Sequence, residues 1–390
     1  MVNMTSKPRF KPLRPQFSSG PCVKRLGWDI SEIVGTAHLG RSHRADNPKL
    51  QIQKVIELTR DILRIPKNYK VGLVPASNTG AFEIAMWTLL GKSPVDIFAW
   101  ENFGLSWATD IIEQLKIEDY RLISADYGLL PDMTSFRAGS DICFTWNGTT
   151  SGVRVPDAKW LAKCQGLVLC DATSAVFGKK VAWEKLDATT FSWQKAMGGE
   201  AAHGMLVLSP KAVDRLESYT PDRPIPKVFR LVKNGRLIEG IFSGETINTP
   251  SMLCVADALD ALLWMKELGG LNATTSRTTA NFNILQDWLD QQDWIENLVI
   301  NPAYRSNTSV CLKIIAKEFL DLPNDKQTKF LKHFVELLKT EKVAYDIGSH
   351  RKAPPGLRIW CGATVESKDL RLLLPWLSWA FESSKELFFR

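Results

Sequence analysis

The 390-residue chain has no apolar run approaching the roughly 20 residues that a membrane-spanning helix needs. Even 257–268 is interrupted by Asp260, Lys266 and Glu267, so no membrane partner is expected. CxxC spacing is also missing. The seven cysteines are an odd number and scattered, which argues against a disulfide framework or a structural zinc site, and no metal is expected. The basic, proline-rich stretch 7–15 has no apolar core or small-residue cleavage site behind it, so a secretory leader is not expected and the cytoplasm is the expected location. No repeat, low-complexity tract or RNA- or DNA-binding motif is visible. The balance of 49 basic against 42 acidic residues, a net charge of +7, is dispersed along the chain, which speaks against a nucleic-acid partner and leaves an anionic small substrate as one reading.

What is present is a chain long enough, and at 45% hydrophobic content apolar enough, for one large and one smaller domain. Apolar runs and helical periodicity alternate: a helix at 50–63, a strand at 71–74, a polar turn at 76–80 and a helix at 81–90. Strands at 95–100, 142–146, 166–170, 188–193 and 204–208 continue the rhythm, with helices at 106–115 and 157–164. This is an α/β pattern. It predicts a large, mostly parallel sheet covered by helices, with ligands at the carboxyl ends of the strands. After Met252 come two long helices around Gly269-Gly270. An α+β remainder follows, with strands at 299–300, 310–315 and 357–360 and helices at 325–340 and 368–381. The predicted organisation is a segment 1–25 joining the small domain, a large domain 26–268 and a small C-terminal domain 269–390.

Lys195 is the most informative residue. It stands in Thr190-Phe191-Ser192-Trp193-Gln194-Lys195-Ala196-Met197-Gly198-Gly199, framed by aromatics and followed by glycines. Desolvation there disfavours ammonium, and an uncharged amine can form a Schiff base. Upstream, Asp171 ends the apolar segment Leu167-Val168-Leu169-Cys170. A lysine for an aldehyde and a carboxylate for a pyridine nitrogen form the pair that pyridoxal 5′-phosphate requires. Taken alone, the two could equally be a surface lysine and a capping aspartate. Ser77-Asn78-Thr79-Gly80, between a strand and a helix, can hold a phosphate on backbone amides and hydroxyls, although plain N-capping would use the same residues. The loop Trp146-Asn147-Gly148-Thr149-Thr150-Ser151-Gly152 follows another strand, and from it Thr149 could reach a ring hydroxyl.

Four segments carry a family resemblance: Phe17-Ser18-Ser19-Gly20-Pro21, Ser42-His43-Arg44, Trp193-Gln194-Lys195 and Asn248-Thr249-Pro250. With His350-Arg351 and Arg358, they make the chain resemble the phosphoserine aminotransferases, class V members of the fold-type I pyridoxal-phosphate superfamily, over essentially its whole length. The resemblance implies reversible amino transfer from L-glutamate to 3-phosphohydroxypyruvate in serine biosynthesis, and it makes use of 4-phosphohydroxythreonine in vitamin B6 biosynthesis a plausible side activity. It makes Lys195 the Schiff-base lysine, Asp171 the pyridinium partner, and Gln194, Asn78, Thr79 and Thr149 cofactor contacts. Asn248 and Thr249 would reach the cofactor of a neighbouring subunit, which implies a homodimer with shared active sites. Ser19, His43, Arg44, His350 and Arg351 fall at substrate-binding positions, and Arg358 would grip the α-carboxylate with a bidentate fork.

Three features depart from the family pattern. Thr79 stands where an arginine is usual, and the spacing from His350-Arg351 to Arg358 is one residue longer. Phe103 falls where a tryptophan commonly stacks on the ring, with Trp100 and Trp107 as competitors. The alternative is a serine- or alanine-glyoxylate aminotransferase. A cysteine desulfurase fits less well, because Cys311 and Cys361 sit in or beside apparent strands where buried thiols are inert. A nucleic-acid or scaffold protein would leave the cofactor constellation idle.

Overall fold

The computed structural model describes residues 6–389. Its centre is a sheet of seven strands: β1 (Lys70–Pro75), β2 (Val95–Ala99), β3 (Tyr120–Ser124), β4 (Asp141–Thr145), β5 (Val168–Asp171), β6 (Ala188–Ser192) and β7 (His203–Leu208), in the order β1-β7-β6-β5-β4-β2-β3. Strands β2 to β6 run parallel, and β7 is antiparallel to both of its neighbours. The mostly parallel sheet covered by helices is the architecture that the alternating pattern predicts. Strands β2, β4, β5, β6 and β7 are buried along their whole length, as a sheet packed on both faces requires.

Two cores lie on opposite faces, and the period of two along each strand divides the side chains between them. Val71, Leu73, Ile142, Phe144, Val168 and Cys170 enter the core shared with the helices Asp46–Leu63 and Met252–Leu268. Val74, Cys143, Leu169, Ala188 and Leu206 enter the core beneath the helix Ser77–Leu89. Thr145, Asp171 and Thr190 occupy one register row across β4, β5 and β6, at the parity of Cys143, Leu169 and Ala188. Asp171 therefore faces the side of the sheet that carries the Ser77–Leu89 helix.

Several boundaries differ from the sequence reading. The helix expected from residue 81 begins at Ser77, because Ala76 and Ser77 both adopt positive φ and turn the chain at once into its first turn. The helix expected at 106–115 runs Asn102–Thr109 and ends in a wider turn, Asp110–Gln114. The one expected at 157–164 is a short 3-10 turn, Lys159–Lys163. Strand β3 escaped notice because it is an exposed edge without a buried face. The helix Pro210–Ser218 was also missed, although Ser209 caps it and proline opens it.

A second, antiparallel sheet pairs Ser309–Ile314 with Ile295–Asn297 and Leu357–Trp360. Its first strand precedes the expected 299–300. The helices Asn324–Thr340 and Ser367–Phe388 accompany it. The N-terminal segment is laid along this part of the chain. Tyr345 N–H donates to the Pro15 carbonyl at 2.9 Å, Trp360 N–H to that of Phe17 at 2.9 Å, and Leu13 N–H to Asp369 Oδ1 at 2.7 Å. Among the described residues no helix is long and apolar enough to cross a membrane.

Candidate active site

The carboxyl ends of β4, β5 and β6, the N-terminus of the Ser77–Leu89 helix and the start of the Asn102–Thr109 helix enclose a cavity of about 300 Å³. Lys195, Asp171, Gln194, Thr149, Asn78 and Thr79 all line it, so the six residues expected around the cofactor ring and phosphate come together.

Lys195 lies just past β6 and is buried. Its Nζ donates to the Ser19 carbonyl, and a Cβ on Gly20 would collide with that nitrogen, which ties the Ser18–Gly20 backbone to the lysine. Burial lowers the Lys195 pKa, and the nearby Arg358 guanidinium acts in the same direction against Cys22, Asp171 and Glu101. Asp171 is the last residue of β5. Burial raises its pKa, opposed by donors that favour the carboxylate: Thr173 N–H at 3.0 Å and the Trp107 indole N–H at 3.1 Å.

The helix N-terminus facing the cavity carries no side-chain cap, so its positive end is free for an anion. A side chain at position 80 would collide with the Pro75 carbonyl, so the tight entry into this helix requires Gly80. Five cavity-lining side chains carry a buried polar atom without a partner: Asn78 Oδ1, Thr145 Oγ1, Asn147 Oδ1, Thr173 Oγ1 and Gln194 Oε1. Buried polar groups are normally satisfied. Orphans converging on one cavity beside an uncapped helix N-terminus, a carboxylate and an amine supply both the donors and the acceptors that pyridoxal phosphate needs.

The aromatic alternatives separate. Phe103 and Trp107 line the cavity. Trp100 does not; it is fully buried, with its N–H given to the Val153 carbonyl at 3.1 Å. Trp107 is committed to Asp171, and its ring packs against Phe82 at 4.9 Å.

The anion-binding candidates are more dispersed. Arg358, on Leu357–Trp360, lines a second cleft of about 700 Å³ with Arg14, Ser18, Gly20 and Cys22. The Ser18–Cys22 segment thus lines this cleft and also touches Lys195, and Arg358 stays near enough to act on the lysine's charge. His350 and Arg351 line a groove against the helix Asn324–Thr340. The His350 ring nevertheless stands 6.1 Å from that of Phe103, at the edge of the Lys195 cavity. Burial, together with Arg358 and Arg351, lowers the His350 pKa. Ser19 is buried, 3.1 Å from Ser309 Oγ.

His43, Arg44, Asn248 and Thr249 do not line the Lys195 cavity of their own chain. His43 is buried elsewhere with Nε2 unpartnered, and the other three are exposed.

Three participants were not read from the sequence. Glu101 and Ser309 join loops distant in sequence, and Trp107 was considered only as a stacking ring. Ser309 Oγ donates to the Thr149 carbonyl at 2.7 Å, and Glu101 accepts from Thr150 Oγ1 at 2.6 Å.

No protein-family model matches the chain. It is 50% identical over 380 residues, 97% of this chain and all of the relative, to a phosphoserine aminotransferase of Methanosarcina mazei. The fold superposes on a crystal structure of a phosphoserine aminotransferase from Cytophaga hutchinsonii with a TM-score of 0.80 at 18% identity, covering 94% of this chain and 98% of that one. An alanine–glyoxylate aminotransferase from Nostoc sp. superposes with a TM-score of 0.76 at 16% identity, covering 96% and 97% of the two chains. Shape alone therefore does not separate the two activities weighed from the sequence, whereas half-identity along the full length of a relative does separate the lineages. The chain belongs to the phosphoserine aminotransferase family.

Proposed function

We propose that the chain transfers an amino group reversibly between L-glutamate and 3-phosphohydroxypyruvate, giving 2-oxoglutarate and O-phospho-L-serine, with pyridoxal 5′-phosphate held in the Lys195 cavity. One observation carries the reading in a chain of this family. A desolvated lysine, a buried carboxylate at a strand end and an uncapped helix N-terminus meet in one cavity of about 300 Å³.

Ser77, Asn78 and Thr79 would hold the cofactor phosphate on the helix N-terminus, Asp171 its ring nitrogen, Thr149 its ring hydroxyl and Phe103 one ring face. When bound, the cofactor supplies the electron sink that lets an amino acid release its α-proton. Lys195, kept short of protons by burial and Arg358, acts as the amine that takes this proton and returns it. Trp107 and Thr173 hold the Asp171 carboxylate in place and favour its charged form. Arg358 grips the α-carboxylate, and His350 with Arg351 meets the far anionic end, whether carboxylate or phosphate.

His43, Arg44, Asn248 and Thr249 serve the partner's cavity in a homodimer with shared active sites, which accounts for their distance from their own chain's lysine. The enzyme works in the cytoplasm. The same arrangement extends to 4-phosphohydroxythreonine of vitamin B6 biosynthesis, which bears the same two anionic ends on a chain about one carbon longer.

The test is a half-reaction titration. O-phosphoserine, serine and alanine are added separately to the cofactor-loaded protein while its visible absorbance band is followed. O-phosphoserine is expected to discharge the band at far lower concentration. Equal or better conversion by serine or alanine would move the reading to the glyoxylate-type relatives.

A further inference from the structure

Glu101 is a buried carboxylate in the wall of the Lys195 cavity, and none of the roles given above uses it. It follows β2 and caps the helix Asn102–Thr109, with one oxygen accepting Gly104 N–H at 2.8 Å. The other oxygen leaves the helix altogether. It accepts from Thr150 Oγ1 at 2.6 Å and from Thr150 N–H at 3.2 Å, and Thr150 Oγ1 in turn accepts Asn102 N–H at 3.3 Å. The packing is tight: a Cβ on Gly148 would stand 2.8 Å from Glu101 Cγ.

A plain N-cap is usually Ser, Thr, Asp or Asn. The longer glutamate is needed to bridge the helix and the loop 146–152. The bridged pieces are the ones that matter, since the helix carries Phe103 and Trp107 and the loop carries Thr149. The bridge continues through Ser309, which donates to the Thr149 carbonyl at 2.7 Å and lies 3.1 Å from Ser19 Oγ, while the Ser19 carbonyl accepts from Lys195.

Burial raises the Glu101 pKa, while the hydrogen bonds from Thr150 and from Gly104 N–H favour its charged form. The ionisable groups that bear on Lys195 are Cys22, Arg358, Asp171 and Glu101; those around Glu101 include Asp171, Tyr127 and Cys311. Cys22 is a thiol pushed up to about 12 by burial and carries no charge at neutral pH. In their charged forms Asp171 and Glu101 are the carboxylates that oppose Arg358 at this nitrogen, and Asp171 is the one assigned to the cofactor ring.

We propose that Glu101 is a positioning residue for the reaction: it locks the Phe103–Trp107 helix to the Thr149–Thr150 loop and sets a second carboxylate in the wall of the Lys195 cavity. This rests on the pyridoxal-phosphate reading above.

The experiment follows the cofactor-loaded protein through a pH titration of its visible absorbance, with kcat, KM and the cofactor dissociation constant measured alongside. Glu101→Gln keeps the size and loses the charge. It is expected to move the absorbance midpoint down by about one pH unit and to lower kcat about 10-fold at neutral pH, with KM and cofactor affinity changed by no more than about threefold. Thr150→Val keeps the carboxylate but removes its shortest donor, so it moves the midpoint in the same direction by less. Glu101→Asp caps the helix without reaching Thr150 and is expected to retain only part of the wild-type midpoint.

Midpoints unchanged in loaded Glu101→Gln and Thr150→Val proteins, with only thermal stability reduced, would reduce Glu101 to a structural cap and overturn the proposal. If Glu101→Gln does not fold, the Thr150→Val midpoint decides. A wild-type protein that takes up no pyridoxal phosphate overturns the underlying reading and this inference with it, an outcome distinct from a loaded protein with an immobile midpoint.

Discussion

The indole N–H of Trp107 donates to Oδ2 of Asp171 across 3.1 Å, and both side chains are buried. The contact joins the helix Asn102–Thr109 to the end of β5. A charge-assisted hydrogen bond in such a place is worth about 1.5–3 kcal/mol. It favours the charged carboxylate against burial, which raises the Asp171 pKa. Trp107→Phe keeps the ring and deletes the donor. The dissociation constant for pyridoxal phosphate, read by fluorescence, is expected to rise at least ~10-fold. An unchanged constant would leave Thr173 N–H as sufficient for Asp171.

Lys195→Ala removes the amine, and turnover of O-phosphoserine with 2-oxoglutarate is expected to fall by at least ~1000-fold. The variant should stay folded by circular dichroism. Normal turnover would end the mechanism given above.

Arg358→Lys preserves charge but loses the planar fork. KM for both glutamate and O-phosphoserine is expected to rise about 10-fold or more, because both carry the α-carboxylate. Cofactor affinity should change less than about twofold. A rise for only one substrate would assign Arg358 to the distal group instead.

His203 predicts a pH dependence of stability. Burial pushes it down to about 4, and its Nε2 accepts Ser251 N–H at 3.1 Å, so the folded state holds it neutral. Between about 6.5 and about 4 the unfolded chain binds the proton that the folded chain refuses. The stability contribution is therefore present above the unfolded pKa and is lost as pH falls. The loss is about 2 kcal/mol between pH 7 and 5. Urea unfolding at the two pH values should show it in the wild type and show less of it in His203→Gln.

Shared active sites are checked by mixing two impaired chains, Lys195→Ala and the double variant Asn248→Ala with Thr249→Ala. A hybrid dimer then has one site with both defects and one with neither. Random reassortment is expected to restore about a quarter of wild-type activity. No restoration would place Asn248 and Thr249 outside the partner's cavity.

The sheet was legible because β2, β4, β5, β6 and β7 are apolar throughout, and a strand buried on both faces cannot be otherwise. Lys195 and Asp171 were legible because their local settings, a strand end and an aromatic-then-glycine frame, carry the chemistry. Of the three aromatics weighed for the ring face, Phe103 and Trp107 line the cavity and Trp100 does not. Glu101, Trp107 and Ser309 were not found in these roles because their contacts reach 49, 64 and 160 residues along the chain, and no local pattern encodes the far partner. The start of the helix at Ser77 was missed for a different reason: left-handed backbone at Ala76 and Ser77 has no side-chain signature when neither residue is glycine or asparagine.

The segment that touches Lys195 and lines the Arg358 cleft is built from the first residues of the chain, and it is held by residues near the last. Phe17 accepts its hydrogen bond from Trp360, and Ser19 abuts both Lys195 and Ser309. During synthesis the lysine and the carboxylate emerge long before the strand Leu357–Trp360 that pins Phe17. The reaction chamber therefore stays open on one side until the strand Leu357–Trp360 has been made. Chains lacking that strand lose the hydrogen bond that pins Phe17 and, with it, one side of the chamber.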